Sequence, residues 1–236
     1  LSVGAVTTAT VEGRGWINVR ELRLAGDSQP LDARWRADGA SYAQTWEVTI
    51  PVAAGTHSYD LEAYDFQGNL IATDSIDITS TASNDVSDSL RITEINYNPA
   101  DPTTLELASL PGLDNDDFEF IEVQNVGTET IELLNVHFLD GIEFTFPAVQ
   151  LAAGERGVVV QDSAAFGLRY GGSANVLGQF ASGRLSNNGE QLTLADAFET
   201  VILDFSYGDS DPWPDRADGL GGTLELIDPV GTPTDQ

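Results

Sequence analysis

The chain has 236 residues, 41% of them apolar, enough for one large all-β core or two of ordinary size, which excludes disorder. Its 38 acidic residues face ten basic ones, all arginine, giving a net charge of −28, so phosphate backbones and anionic membranes are repelled and excluded as partners. No run of about 18 apolar residues offers a transmembrane helix, and without cysteine there is no disulfide from which to read a redox compartment.

The opening segment "LSVGAVTTATV" lacks the basic start and apolar centre of a signal peptide and reads as a strand. Next, "TWEVTI" alternates Trp46, Val48 and Ile50 with polar residues. "YDLEAYD" and "DSIDIT" do the same around Leu61 and Ala63, then Ile76 and Ile78, the period of half-buried antiparallel strands. "DFQGNL", residues 65–70, has the Gly-Asn chemistry of a hairpin turn. Trp35 and Trp46 are expected in the core. Residues 1–80 are therefore expected to form a small β-sandwich. Residues 81–89, with little to bury and many turn formers, are the expected linker.

Residues 90–236 hold eight further strand patterns, among them "LRITEINY", "DFEFIEVQN", "RGVVVQD", "EQLTLAD" and "TVILDFSY", and so predict a second sandwich. Asp140-Gly141 and Asn188-Gly189 supply the positive φ angles of tight hairpins. One helix is expected near 162–170, capped by Asp162, with Phe166 and Tyr170 on one face and Gly171 to end it.

The acids are uneven: five arginines against eleven acids leave −6 over residues 1–81, and five against twenty-five leave −20 over 90–236. Calcium-rich or saline surroundings would screen that surplus, and a general acidic bias explains it equally well. Two loops concentrate it. Asp114, Asp116 and Asp117 in "LDNDD", and Asp209 and Asp211 with Asp215 and Asp218 in "GDSDPWPDRADGLGG", can offer hard oxygen donors to calcium or serve as Asp-rich turns. Neither carries an EF-hand spacing. In "FEFIEVQN" the apolar alternation slips between Phe120 and Ile121, predicting a β-bulge that points Glu119 and Glu122 away from the core. "LRITEINY" slips near Glu94, so all three glutamates read as rim carboxylates or, alternatively, as an ion site.

Catalytic signals are sparse. There is no cysteine nucleophile, no G-x-S-x-G elbow and no Gly-rich phosphate loop. His57 and His137 are isolated and read as a turn and a strand residue. A carboxylate pair for glycoside hydrolysis is the one chemistry left, and it requires an aromatic-lined cleft. Trp213, between two prolines, is either an exposed platform for a glycan or a residue pinned at the sandwich edge.

"RITEINYNP", "DFEFIEVQNVG", "IEFTFPAVQLAAGERGVVVQD", "RLSNNGEQLTLAD", "ILDFSYGDSDPWP" and "LELIDP", in that order, resemble a bacterial lamin tail domain over about residues 88–230. The resemblance implies an immunoglobulin-like β-sandwich in an extracellular setting, and attachment, adhesion or display as the role. Residues 1–80 resemble the immunoglobulin-like modules found beside such domains. The expected function is a non-enzymatic structural, adhesive or assembly module of a larger bacterial surface or secreted protein. Its partners would be neighbouring domains or surface proteins, and the isolated chain is expected to be a monomer. Two alternatives stand beside this reading. One is a calcium-dependent carbohydrate-binding module, and the other a filament subunit joined by β-strand addition through the opening segment.

Overall fold

The period-2 patterns become strands in two separate units, Leu1–Asp85 and Val86–Gln236. The computed structural model describes residues 1–4, 7–27, 29–37, 43–81 and 86–229. Among these no helix is long and apolar enough to cross a membrane.

The first unit comprises β1 (Ser2–Gly4), β2 (Thr8–Trp16), β3 (Glu21–Leu24), β4 (Arg34–Ala37), β5 (Ala43–Pro51), β6 (Gly55–Tyr64) and β7 (Leu70–Ser80). One sheet runs β1-β7-β6-β3 and the other β2-β5-β4. Val11, Val48 and Ile50 from one meet Tyr59, Leu61 and Ile78 from the other in a shared core. The hairpin between β6 and β7 turns at Gly68 (φ 80°), where the Asp65 carboxylate accepts from the amides of Gln67 and Asn69 at 2.9 Å each. Trp35 and Trp46 are cross-strand partners and half-buried rather than enclosed. The Trp46 ring lies across Gly13, where any Cβ would collide with it. The opening segment is already paired in its own unit, since β1 runs parallel to β7 and β2 antiparallel to β5.

The second unit begins inside the expected linker. Residues 82–85 of that segment lie outside the described residues, and Val86–Ser89 form a helical turn, α1, with Ser89 buried. There follow β8 (Leu90–Asn96), α2 (Thr104–Ser109), β9 (Phe120–Asn125), β10 (Ile131–Glu132), β11 (His137–Asp140), β12 (Gln150–Leu151), β13 (Arg156–Val160), α3 (Ser163–Tyr170), β14 (Val176–Gln179), β15 (Glu190–Ala195), β16 (Val201–Tyr207) and β17 (Leu224–Glu225). A five-stranded sheet, β14-β13-β9-β8-β17, faces the sheet β11-β15-β16, and β10-β12 form a short ribbon. The core between them includes Leu90, Ile121, Val159, Leu192 and Leu194. The chain is thus all-β, with two sandwiches and short helices.

The expected helix is present. Asp162 Oδ1 accepts from the amides of Ala164 and Ala165 at 2.8 Å, and Gly171 follows the last turn. Where the expectation was one helix, α1 and α2 add two more. Gly141 (φ 97°) turns the chain after β11 as expected. Asn188-Gly189 does not join neighbouring strands; it swings the chain from the large sheet into β15, and the β15–β16 hairpin instead turns on Asp196, whose carboxylate accepts from the Phe198 and Thr200 amides.

The bulge expected in β9 is absent, and the slip expected near Glu94 in β8 is present. Pairing of β9 with β13 is continuous from Phe120 to Gln124, while the extra residue is in β8, between Ile92 and Glu94. Both Phe120 and Ile121 are buried because both faces of this sheet are covered. Ile121 faces the sandwich core, and Phe120 packs with Val158 and Val160 under Phe166 of α3. An apolar run without alternation is what a doubly covered strand requires.

Candidate functional site

The first acidic loop leads from α2 into β9, and the second from β16 into β17. In the first, Asp116–Phe118 form a 3₁₀ turn and the Asp114 amide donates to Asp117 Oδ2 at 2.9 Å. Arg184, arriving from the segment before β15, places Nη1 2.6 Å from Asp116 Oδ2 and 3.3 Å from both Asp114 oxygens. A calcium ion there would have to displace a guanidinium. In the second loop, Asp209 and Asp211 flank Ser210, whose carbonyl accepts from the Trp213 amide at 3.0 Å, and Asp215–Ala217 form another 3₁₀ turn. Asn98 links the two loops: its Nδ2 donates to Asp218 Oδ1 at 2.6 Å and its Oδ1 accepts from Asn115 at 2.9 Å. Among the described residues no three acid or histidine side chains converge as a metal site.

The three glutamates separate. Glu119 does not point outward: two residues before Ile121, it shares that residue's core-facing side and is fully buried. Oε2 accepts from the Leu185 amide at 2.8 Å, and Oε1 has no hydrogen-bond partner. Burial pushes this carboxyl up to about 8, and the nearby charges of Asp116 and Glu190 push the same way. Glu122 lies on the opposite, outer face, where it accepts from the Thr93 hydroxyl at 2.6 Å and pairs with Arg156 at 2.7 Å. Glu94 is its cross-strand neighbour, flanked on the other side by Glu225. Burial raises the Glu94 carboxyl above its ordinary range, opposed by a hydrogen bond with Thr223.

A buried ion pair escaped the sequence reading. Arg169 of α3 places Nε 2.8 Å from Glu106 Oε1 and Nη2 3.1 Å from Oε2, and lies 3.2 Å above the Phe118 ring. Its Nη1 also donates to the Ala100 carbonyl at 2.8 Å. The guanidinium holds the Glu106 carboxyl down at about 2. Glu106 and Thr103 close a capping box on α2, and that T-x-x-E spacing was the available signal.

The isolated histidines meet local partners. His57 Nε2 is 2.9 Å from the Ala54 carbonyl oxygen, and His137 Nδ1 is 3.0 Å from that of Asn135.

Among the described residues a cleft of about 250 Å3 lies between β8 and β17 on one side and β16 on the other. Ile92, Ile95, Phe205, Leu224 and Leu226 make its walls, and Trp213 closes one end between its two prolines. Trp213 is half-buried against the core, so it is a wall and not an exposed platform. Thr93, Glu94 and Glu225 also line the cleft, so the lining is mainly but not wholly apolar. What the cleft can take is an apolar group.

No protein-family model matches the chain, and no curated protein matches it either.

Proposed function

We propose that the chain is a non-enzymatic structural, adhesive or assembly module of a larger extracellular bacterial protein, with a second unit similar to bacterial lamin tail domains. The observation that carries this reading is the use to which the charged groups are put. Glu106, Glu119, Asp162 and Arg169 fix backbone or one another, Arg184 holds the first aspartate loop, and the cleft is walled mainly by apolar side chains, with Glu94 and Glu225 the only titratable ones among its described lining residues. Reactive chemistry in the cleft would have to use those two carboxylates.

The test is retention on immobilised glycans in millimolar calcium and in chelator, together with turnover of chromogenic glycosides. A structural module passes through the column in both conditions and releases no chromophore. Calcium-dependent retention replaces this reading with a carbohydrate-binding module, and turnover replaces it with a glycosidase.

A further inference from the structure

Among the described residues the large sheet of the second unit ends on β17, which is two residues long and pairs there only with β8. The Leu226 amide continues inward, donating to the Thr93 carbonyl at 2.9 Å. Backbone groups alternate sides along a strand, so those of Glu225 face the open edge, and the chain bends at Ile227. The edge is short and flanked by Glu225 and Pro229, which leaves room for one added segment and not for open-ended sheet growth. Ile227 is 85% exposed beside it and helps to line the cleft. The flanking sequence is acidic: Glu225 on β17, and Asp211 and Asp215 beside the two prolines, within a region of charge −20.

We propose that the β17 edge and the cleft beneath it are the docking site for an extended segment of a partner polypeptide. That segment adds as a sixth strand, seats one apolar side chain in the cleft and carries basic residues on either side of this anchor. The inference rests on the assembly reading above and names the edge that performs it. Three observations meet at one place. Unpaired main-chain groups supply the affinity of strand addition, an adjoining pocket selects the side chain, and the carboxylates select positive charge. A second copy of this chain is a poor occupant, since two such acidic surfaces repel. At about 250 Å3 the cleft is also below the usual range of roughly 300–1,000 Å3 for small-molecule sites, and suits a single anchoring side chain.

The experiment is a titration of the 15N-labelled full chain with a short peptide of alternating threonine and lysine carrying one central leucine. Amide shifts are expected at Ile92–Ile95, Leu203–Phe205 and Leu224–Ile227. Replacing the central leucine by aspartate, or all lysines by glutamate, should abolish them. Ile227→Pro alters the backbone at the end of this edge and should weaken binding at least about tenfold, as should Ile227→Glu, which puts a charge on the cleft lining. The proposal is overturned by an absence of shifts at millimolar peptide, by shifts elsewhere, by equal binding of either control peptide, or by full binding to Ile227→Pro. Because glycan retention is measured separately, a failed titration beside negative glycan columns removes the docking site and leaves the module reading in place. Calcium-dependent glycan retention removes the module reading whatever the peptide does.

Discussion

At the scale of single residues, two carboxyls are displaced in opposite directions, and each displacement sets a pH dependence. Glu119 has an ordinary value of 4.5 and is raised to about 8 in the folded chain, so the folded state keeps a proton that the unfolded state releases. Its contribution to stability is complete below 4.5 and is lost as pH rises through about 8. Glu119→Gln keeps an acceptor for the Leu185 amide and cannot ionise. It should melt close to the parent near pH 5 and above it near pH 9, and parallel melting curves at both values would refute the shift. Glu106, held at about 2, behaves in reverse: its stabilisation is present above 4.5 and disappears as pH falls through about 2. Arg169→Met strands that buried carboxylate and should cost about 3 kcal/mol by denaturant unfolding, with part recovered when Glu106→Gln is added. An unchanged midpoint for Arg169→Met would show that the pair holds nothing.

At the scale of elements, α3 does two jobs that only its position explains. Phe166 covers the outer face of the large sheet, in edge contact with Phe120 at 5.6 Å between ring centroids, and Arg169 anchors α2. Burying one such aromatic side chain stabilises by roughly 1.5–3 kcal/mol. The helix has only eight residues, too few to persist alone, so its start depends on the Asp162 cap. Asp162→Ala should lower stability by about 1 kcal/mol, and hydrogen exchange should quicken first at Ala164 and Ala165. Exchange unchanged at those amides would mean the cap is dispensable. The bulge in β8 is the other element that shapes the molecule: one extra residue there returns Ile95 and Tyr97 to the core and leaves Glu94 on the outer face.

At the scale of the whole molecule, each unit has its own buried core, Leu61 and Ile78 in one and Ile121 and Leu192 in the other. Residues 86–236 expressed alone should therefore unfold cooperatively, with the midpoint that this unit shows in the full chain. Self-repulsion is concentrated there, at −20 over residues 90–236 against −6 over 1–81. Raising sodium chloride from about 0.01 to 0.15 M shortens the Debye length from about 30 to 8 Å, and should raise the melting temperature of the second unit more than that of the first. Equal shifts in the two units would mean that the excess acids do not strain the fold.

The sequence by itself determined the all-β class, the two sandwiches, the Asp65 and Gly141 turns and the capped helix, because each depends on neighbours within a few residues: a period of two, a turn-forming dipeptide, an acid before a helix. It misread what depends on distant packing. Phe120 and Ile121 looked like a slipped register because nothing nearby in sequence announces that α3 covers the second face of their sheet. Glu119 looked exposed for the same reason, since its burial is imposed by the segment around Leu185, 66 residues away. Arg184 reached the first aspartate loop and Arg169 reached Glu106 across separations of 68 and 63 residues, distances at which a charge pattern carries no pairing information. The cleft that Ile227 helps to line joins residues from β8, β16 and β17, and only the closing of the two sheets brings them to one place.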